Sequence, residues 1–195
     1  MAELVSRVFN PLLTPVVAFG LLVLFAPGIP AGKQFLYCAI ALFFSSAVIF
    51  GYIHYLKHKR VIHSTDLIVR EHRINPLTFA VLSYAIGYIL LTSFSAPPII
   101  RGLMFCYVTN TLVILWITRQ WKISIHTAAI ANPIVALVYE FGWLFAPLLL
   151  IVPLVGFSRV KMQRHDLAQV MAGGLIGMGM TAFQLWFLFG LTIGG

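Results

Sequence analysis

Two histidines stand where apolar segments begin, and each follows a short run of basic and hydroxyl-bearing residues. His126 comes after Lys122 and Ser124, and His165 comes after Arg159. Taken alone, a histidine in such a place is usually an interfacial or helix-capping residue. Two histidines among Arg, Lys and Ser donors instead indicate a site that combines acid–base chemistry with strong hydrogen-bond donation.

Two residues that follow His165 bear on its orientation. Gln169 comes four residues later and shares one helix face with it, so the Gln169 amide can reach back to one ring nitrogen of His165. Asp166 directly follows His165, and on a helix it would point about 100° away. Its expected role is a negative charge at the N-terminus of a helix.

The elements that position these residues must lie in a membrane, because the composition excludes a water-soluble fold. Hydrophobic residues make up 61% of the chain and charged residues only 9%, against about 25% charged in a soluble domain. With five acidic residues, a site for Mg²⁺ or Ca²⁺ built from clustered carboxylates is not expected. The two cysteines, Cys38 and Cys106, lie in apolar runs and are expected to be small buried side chains.

Apolar runs of 15 to 25 residues alternate with polar segments, and a helical span of the hydrocarbon core needs about 20 mostly apolar residues. The runs cover residues 11–30, 35–56, 77–94, 99–118, 126–141, 143–157 and 167–191. The first is expected to be a retained span and not a cleaved signal peptide, and Gly142 is expected to form a sharp turn. The sequence therefore predicts one all-α membrane domain over residues 1–195, a transmembrane bundle of six or seven spans.

Small residues interrupt the last apolar run. Gly173, Gly174, Gly177 and Gly179 lie close together in it. Such residues allow a neighbouring helix to approach closely, and we expect this packing role, not a nucleotide-binding loop.

Three polar segments, 57–75, 119–124 and 158–166, are separated from one another by two spans each, so they share one face of the membrane. That face carries eleven cations: Arg7, Lys57, Lys59, Arg60, Arg70, Arg73, Arg119, Lys122, Arg159, Lys161 and Arg164. The positive-inside rule makes this face cytoplasmic in a multi-pass protein of the cell membrane. The net charge of +8 is thus attributed to topology and to anionic lipid headgroups, not to nucleic acid.

The segment around His165 resembles a known motif. Ser158 and Arg159, then five residues, His165, three residues and Gln169 resemble the third motif of the type 2 phosphatidic acid phosphatase superfamily, S-R-x5-H-x3-D. The spacing matches throughout, and the final Asp of the motif is Gln169 here. The resemblance covers about residues 70–174 and implies a phosphatase-like core at about 57–191.

The other two motifs of that superfamily have weaker counterparts. Ser124-x-His126 resembles the second motif, P-S-G-H, with isoleucines in place of the Pro and the Gly. Arg73-Ile-Asn-Pro76 resembles the end of the first motif, K-x6-R-P, and Asp66 stands where that motif has its Lys. The three counterparts occur in the order of the family, which indicates a divergent branch.

The resemblance implies metal-independent hydrolysis of a membrane lipid phosphate or pyrophosphate, of the isoprenyl pyrophosphate or phosphatidate class. His165 would attack phosphorus and form a phosphohistidine, oriented by Gln169. His126 would protonate the leaving oxygen and then activate water. The phosphoryl oxygens would be held by Arg70, Arg73, Lys122, Ser124 and Arg159.

Two other functions are open at this point. The first is a degenerate member that binds lipid phosphate without turnover, because Gln169 stabilises a charged imidazole less than Asp does. The second is a small transporter with Glu140 and Arg101 on its pathway, although both are expected at the helix ends far from the histidines. A prenyl- or phosphatidyl-transferase is disfavoured because such enzymes commonly use paired aspartate motifs.

Overall fold

The computed structural model describes residues 2–62 and 69–194, without the side chains of Ser6 and Arg7. The predicted Asp66 position and the side chain of Arg7 lie outside the described residues. Within the described part the chain forms eight helices: α1 Ala2–Val8, α2 Thr14–Phe25, α3 Ala31–His58, α4 Glu71–Ser93, α5 Pro98–Thr118, α6 Ile125–Phe141, α7 Trp143–Lys161 and α8 Leu167–Phe187. The all-helical membrane bundle is thereby confirmed.

Helix length separates full spans from shorter helices. Five helices of the described chain, α3, α4, α5, α7 and α8, are long and apolar enough to cross a membrane. Helix α6 has 17 residues, at the lower limit of about 17 for a span. Helix α2 has 12 residues and is about 18 Å long, so it covers only part of the apolar run at 11–30.

Apolar side chains on the outside of the bundle suit contact with lipid. Phe35, Leu144 and Leu150 are 83%, 85% and 72% exposed. The turn at Gly142, where φ is 81°, returns the chain from α6 into α7. This left-handed conformation favours glycine, and the sharp turn predicted there is confirmed.

Helix α6 is the most enclosed helix, because it packs against α2, α5, α7 and α8. Its residues from His126 to Val138 are almost all buried. Helices α6 and α8 approach closely where α8 carries glycines. A Cβ added at Gly173 would meet the carbonyl oxygen of Ser124 and the hydroxyl of Thr127. The packing role predicted for the glycine patch is confirmed at this residue.

Replacing Gly173 by alanine is therefore expected to push α8 away from the start of α6. Overpacking of this kind costs about 1–3 kcal/mol, so thermal unfolding in detergent should occur at a lower temperature. Gly179 lies in the same helix with nothing within 4 Å of an added Cβ, and Gly179→Ala should not lower stability. Equal shifts in the two variants would contradict the close approach.

Candidate active site

The three polar segments meet at one end of the bundle. An Nη1 of Arg73, at the start of α4, donates to the carbonyl oxygen of Ile123 at 2.8 Å. The backbone N–H of Ser124, before α6, donates to the carbonyl oxygen of Gln169 at 3.1 Å. These contacts join the starts of α4, α6 and α8. The three polar segments, predicted to share one face because two spans separate each from the next, therefore lie together.

His165 has different partners at its two ring nitrogens. Its Nδ1 lies 2.8 Å from Oε1 of Gln169, and its Nε2 lies 3.5 Å from Nη2 of Arg73. The amide oxygen can only accept and the guanidinium can only donate. Nδ1 therefore carries the proton, and the lone pair of Nε2 faces the guanidinium. This is the tautomer that a nucleophilic Nε2 requires.

The surroundings of His165 keep its ring uncharged. The side chain is 7% exposed, and burial lowers its pKa to about 4, assisted by the charges of Arg73, Lys122 and Arg159, while the hydrogen bond to Gln169 acts in the opposite direction. A neutral imidazole at neutral pH retains the lone pair needed for attack.

Arg73, Lys122 and Arg159 lie within electrostatic reach of His165, and Arg164 lies within reach of Lys122. Burial lowers the pKa of Lys122, and the charges of Arg73, Arg159 and Arg164 lower it further, against a smaller opposite effect of Asp166. Arg73 and Arg159 are only 2% and 1% exposed. Cations gathered this closely favour binding of an anion, because its charge offsets their mutual repulsion. Such an arrangement can hold a phosphate.

Arg164 was not predicted as part of this group. The sequence analysis counted it only as a topological cation, although its position next to His165 was a usable signal. Its backbone N–H donates to the carbonyl oxygen of Arg159 at 3.0 Å, which folds the loop after α7 back on itself. That turn brings the Arg164 side chain toward Lys122.

His126 lies in the first turn of α6 and is 7% exposed. Arg73 borders the pocket that His126 also lines, and it contacts His165 directly.

Two predicted phosphate ligands have other partners in the structure. Ser124 is fully buried, and its Oγ accepts from the backbone N–H of Thr127 at 3.4 Å as the N-cap of α6. Arg70 is half-exposed at the rim, where it pairs with Glu71 at 3.1 Å and donates to the carbonyl oxygen of Gln120 at 2.7 Å. Arg70 thus ties the start of α4 to the link before α6.

Asp166 differs most from its expected position. It is the N-cap of α8, with ψ of 174°, so the angular spacing of a helix does not apply to it. Its Oδ1 accepts from the backbone N–H of Gln169 at 2.8 Å, and its Oδ2 accepts from the side-chain Nε2 of Gln169 at 2.8 Å. Asp166 has the predicted helix-end role and, in addition, holds the Gln169 amide.

An apolar pocket opens beside this cluster. It encloses about 910 Å³ of space without protein atoms, its open side included, and is bordered by Arg73 and His126 at the site end. Tyr84, eleven residues beyond Arg73 along α4, lines it further in, at a depth of about 16 Å. That depth is about half of the ~30 Å hydrocarbon core. Parts of its wall come from Asn10–Leu12 and α3, before the predicted core at 57–191.

If His165 is a nucleophile for phosphate release, acid should abolish that release only at unusually low pH. Since the pKa of His165 lies at about 4, kcat/KM, which reports the free enzyme, should fall only as the pH approaches that value. Lys122→Gln removes a cation that opposes the imidazolium, so the pKa of His165 should rise and the fall should begin at higher pH. Exposed Lys161 is the control, and Lys161→Gln should leave the profile unchanged. A fall near pH 6.5 in the parent would contradict the assignment.

Comparison with known proteins found no matching family model, no matching curated protein and no matching solved structure. The function proposed for this chain therefore depends on the residues and geometry of the site. The described chain supplies two buried histidines, a group of cations and an apolar pocket at one end of a membrane bundle.

Proposed function

We propose that this integral membrane protein hydrolyses a lipid phosphate or diphosphate through a phosphohistidine intermediate, as a divergent member of the type 2 phosphatidic acid phosphatase superfamily. One observation carries the proposal: Nδ1 of His165 is engaged by Gln169, and Nε2 faces Arg73 beside further buried or half-buried cations. A phosphoryl group placed there would have its oxygens neutralised and its phosphorus next to a nucleophile.

The pocket supports a lipid as the substrate. Its wall is mainly apolar, and it begins at Arg73 and His126. A phosphate held by the cations would therefore place an attached isoprenyl or acyl chain in the pocket, in the half of the membrane nearest the site. The pairing of a cationic mouth with an apolar interior matches the amphipathic substrate.

The first chemical step forms the phosphohistidine. The lone pair of His165 Nε2 attacks phosphorus, and the bond from phosphorus to the bridging oxygen breaks. Protonated His126 gives its proton to that oxygen as the lipid alcohol, or the lipid monophosphate, departs. Arg73, Lys122, Arg159 and Arg164 stabilise the charge on the phosphoryl oxygens.

The second step returns the enzyme to its starting state. His126, now neutral, accepts a proton from water, and the water oxygen attacks phosphorus. The N–P bond breaks and returns the lone pair to His165 Nε2, with inorganic phosphate as the product. In both steps Nδ1 of His165 keeps its proton and donates it in a hydrogen bond to Oε1 of Gln169. The ring therefore carries a positive charge only while it is phosphorylated.

The position of other charged residues disfavours a transporter. Arg101 lies in the first turn of α5 and Glu140 in the last turn of α6, at the opposite ends of these helices from the site. Lys33 also lies at that end of the bundle, at the start of α3. The excess of cations at the site end supports a cytoplasmic active face, by the positive-inside rule.

Phosphate release by the purified protein tests the proposal. The substrates are an isoprenyl diphosphate, an isoprenyl monophosphate and phosphatidate, each assayed with and without excess EDTA. Release should persist in EDTA, because the step needs only histidines and cations, and vanadate should inhibit by occupying the phosphoryl site. Binding of a lipid phosphate without any release would identify a lipid-phosphate-binding protein instead, and release that depends on added Mg²⁺ would contradict the histidine mechanism.

Filling the pocket should weaken lipid binding without disabling the chemistry. Ala80 of α4 lines the pocket and is 5% exposed, so Ala80→Leu should raise KM for a long-chain lipid phosphate several-fold. Hydrolysis of a short, water-soluble phosphate ester should be unchanged, since it does not use the pocket. Ala85 lies on the same helix outside the pocket lining, and Ala85→Leu is the control. Equal losses on both substrates would show a general packing defect.

A further inference from the structure

Two consecutive side-chain hydrogen bonds lead from Asp166 through Gln169 to Nδ1 of His165, and a backbone hydrogen bond from Gln169 to Asp166 accompanies them. Both oxygens of the Asp166 carboxylate are used on Gln169, one by the backbone N–H and one by the side-chain Nε2, each at 2.8 Å. Oε1 of Gln169 then lies 2.8 Å from Nδ1 of His165. The amide of Gln169 thus lies between a carboxylate and an imidazole.

The order of donors and acceptors along this path leaves no freedom. A carboxylate can only accept, so the Gln169 amide must direct its NH₂ toward Asp166. Its oxygen must then face His165, and Nδ1 of His165 must carry the proton. Reversal of the amide would place NH₂ against Nδ1 and move the proton to Nε2, the nitrogen that faces Arg73.

We propose that Asp166 is a positioning residue that sets the tautomer of His165 through the Gln169 amide. The proposal rests on the proposed function for its catalytic consequence, but the tautomer itself is a property of the protein without substrate. Asp166 also places a negative charge near the His165 ring, with the Gln169 amide between them, where other histidines have a carboxylate bonded directly to the ring. That charge favours the phosphorylated, positively charged ring.

Asp166→Asn separates positioning from helix capping. Asn and Asp are about equally good N-caps, so a purely capping role predicts no loss. A positioning role predicts a loss of kcat. The Asn Oδ1 still accepts from the backbone N–H of Gln169, but its NH₂ group now requires the oxygen of the Gln169 amide to face it, which reverses the amide. The wrong histidine tautomer lowers kcat by about 10²–10⁴-fold in other triads, and a fall in this range is expected here. Asp166→Ser retains a cap without reversing the amide and should lose much less.

A second substitution should restore the lost activity. In Asp166→Asn combined with Gln169→Glu, the Asn NH₂ donates to one carboxylate oxygen of residue 169, and the other oxygen accepts from Nδ1 of His165. The double variant should therefore recover most of the kcat lost by Asp166→Asn. Gln169→Glu alone places two carboxylates together, so its kcat should lie between that of Asp166→Asn and that of the double variant. Lack of recovery would overturn the proposed order of donors and acceptors.

The tautomer can be read without any substrate. Nitrogen NMR of protein with ¹⁵N-labelled histidine, assigned by comparison with His165→Ala, should show a protonated Nδ1 and a bare Nε2 in the parent at neutral pH. Asp166→Asn should exchange these two signals and the double variant should restore them. A parent-like tautomer and rate in Asp166→Asn would overturn the proposal. If the parent released no phosphate at all, the proposed function would fail while the NMR result still decided the role of Asp166.

Discussion

His165→Ala is expected to abolish phosphate release, with a fall in kcat of roughly 10⁴-fold or more, as for other nucleophiles that act as part of a unit. In the proposed mechanism Nε2 of His165 is the atom that bonds to phosphorus, whereas His126 acts only as acid and base. The helices should stay folded, since His165 lies in the link between α7 and α8 and not in the packed interior of a span. Phosphate release and circular dichroism in detergent measure the two effects.

His126→Ala is the matched comparison, because it removes a buried histidine of the same exposure with a different role. A general acid matters most when the leaving group is poor. An activated aryl phosphate should therefore restore a large part of the first step in His126→Ala and none of it in His165→Ala. Similar recovery in the two variants would contradict the division of roles, and near-parent activity of His165→Ala would remove His165 as the nucleophile.

Arg73→Gln is expected to lower kcat by about 10²–10³-fold, the usual cost of losing one preorganised donor to a developing charge. Arg73 is almost completely buried and lies between the carbonyl oxygen of Ile123 and Nε2 of His165. Arg73→Lys should recover little of the lost kcat, since one ammonium group cannot contact both the carbonyl oxygen of Ile123 and Nε2 of His165 as the planar guanidinium does. Steady-state kinetics, with thermal unfolding to check the fold, measure the result.

Arg70→Gln is the control for this prediction, three residues away and of the same chemical type. The guanidinium of Arg70 is engaged by Glu71 and by the carbonyl oxygen of Gln120. Its loss should change kcat by only a few-fold, through a looser link between α4 and the α6 start. A loss as large as that of Arg73→Gln would place Arg70 among the phosphate ligands, where the sequence analysis had it.

Composition and short spacing along the chain were enough to predict several features of this protein. Apolar runs define the helices of a membrane bundle because backbone polar groups inside a bilayer must be satisfied within each segment. The contact between Nδ1 of His165 and Gln169 was also predicted from their separation of four residues. His165 precedes the N-cap Asp166, so this is a local contact across the start of α8 and not one along a helix face. The turn at Gly142 and the close approach at Gly173 are local in the same sense, because each depends on the absence of a Cβ.

Contacts between residues of distant segments could not be predicted from the sequence, because they depend on how the helices pack. Arg73 and His165 are 92 positions apart and come into contact because α4, α6 and α8 begin at the same end of the bundle. Arg70 differs from Arg73 because its guanidinium binds Glu71 and the carbonyl oxygen of Gln120 in the link before α6. The contact with Gln120 depends on packing, which the spacing of residues does not specify. Asp166 reaches Gln169 because an N-cap residue has an extended backbone and not a helical one. Asn10–Leu12 and α3 line part of the pocket because packing brings these N-terminal segments against α4 and α6. Side-chain contacts between elements depend on how the helices pack, and a pattern along one helix carries no information about that.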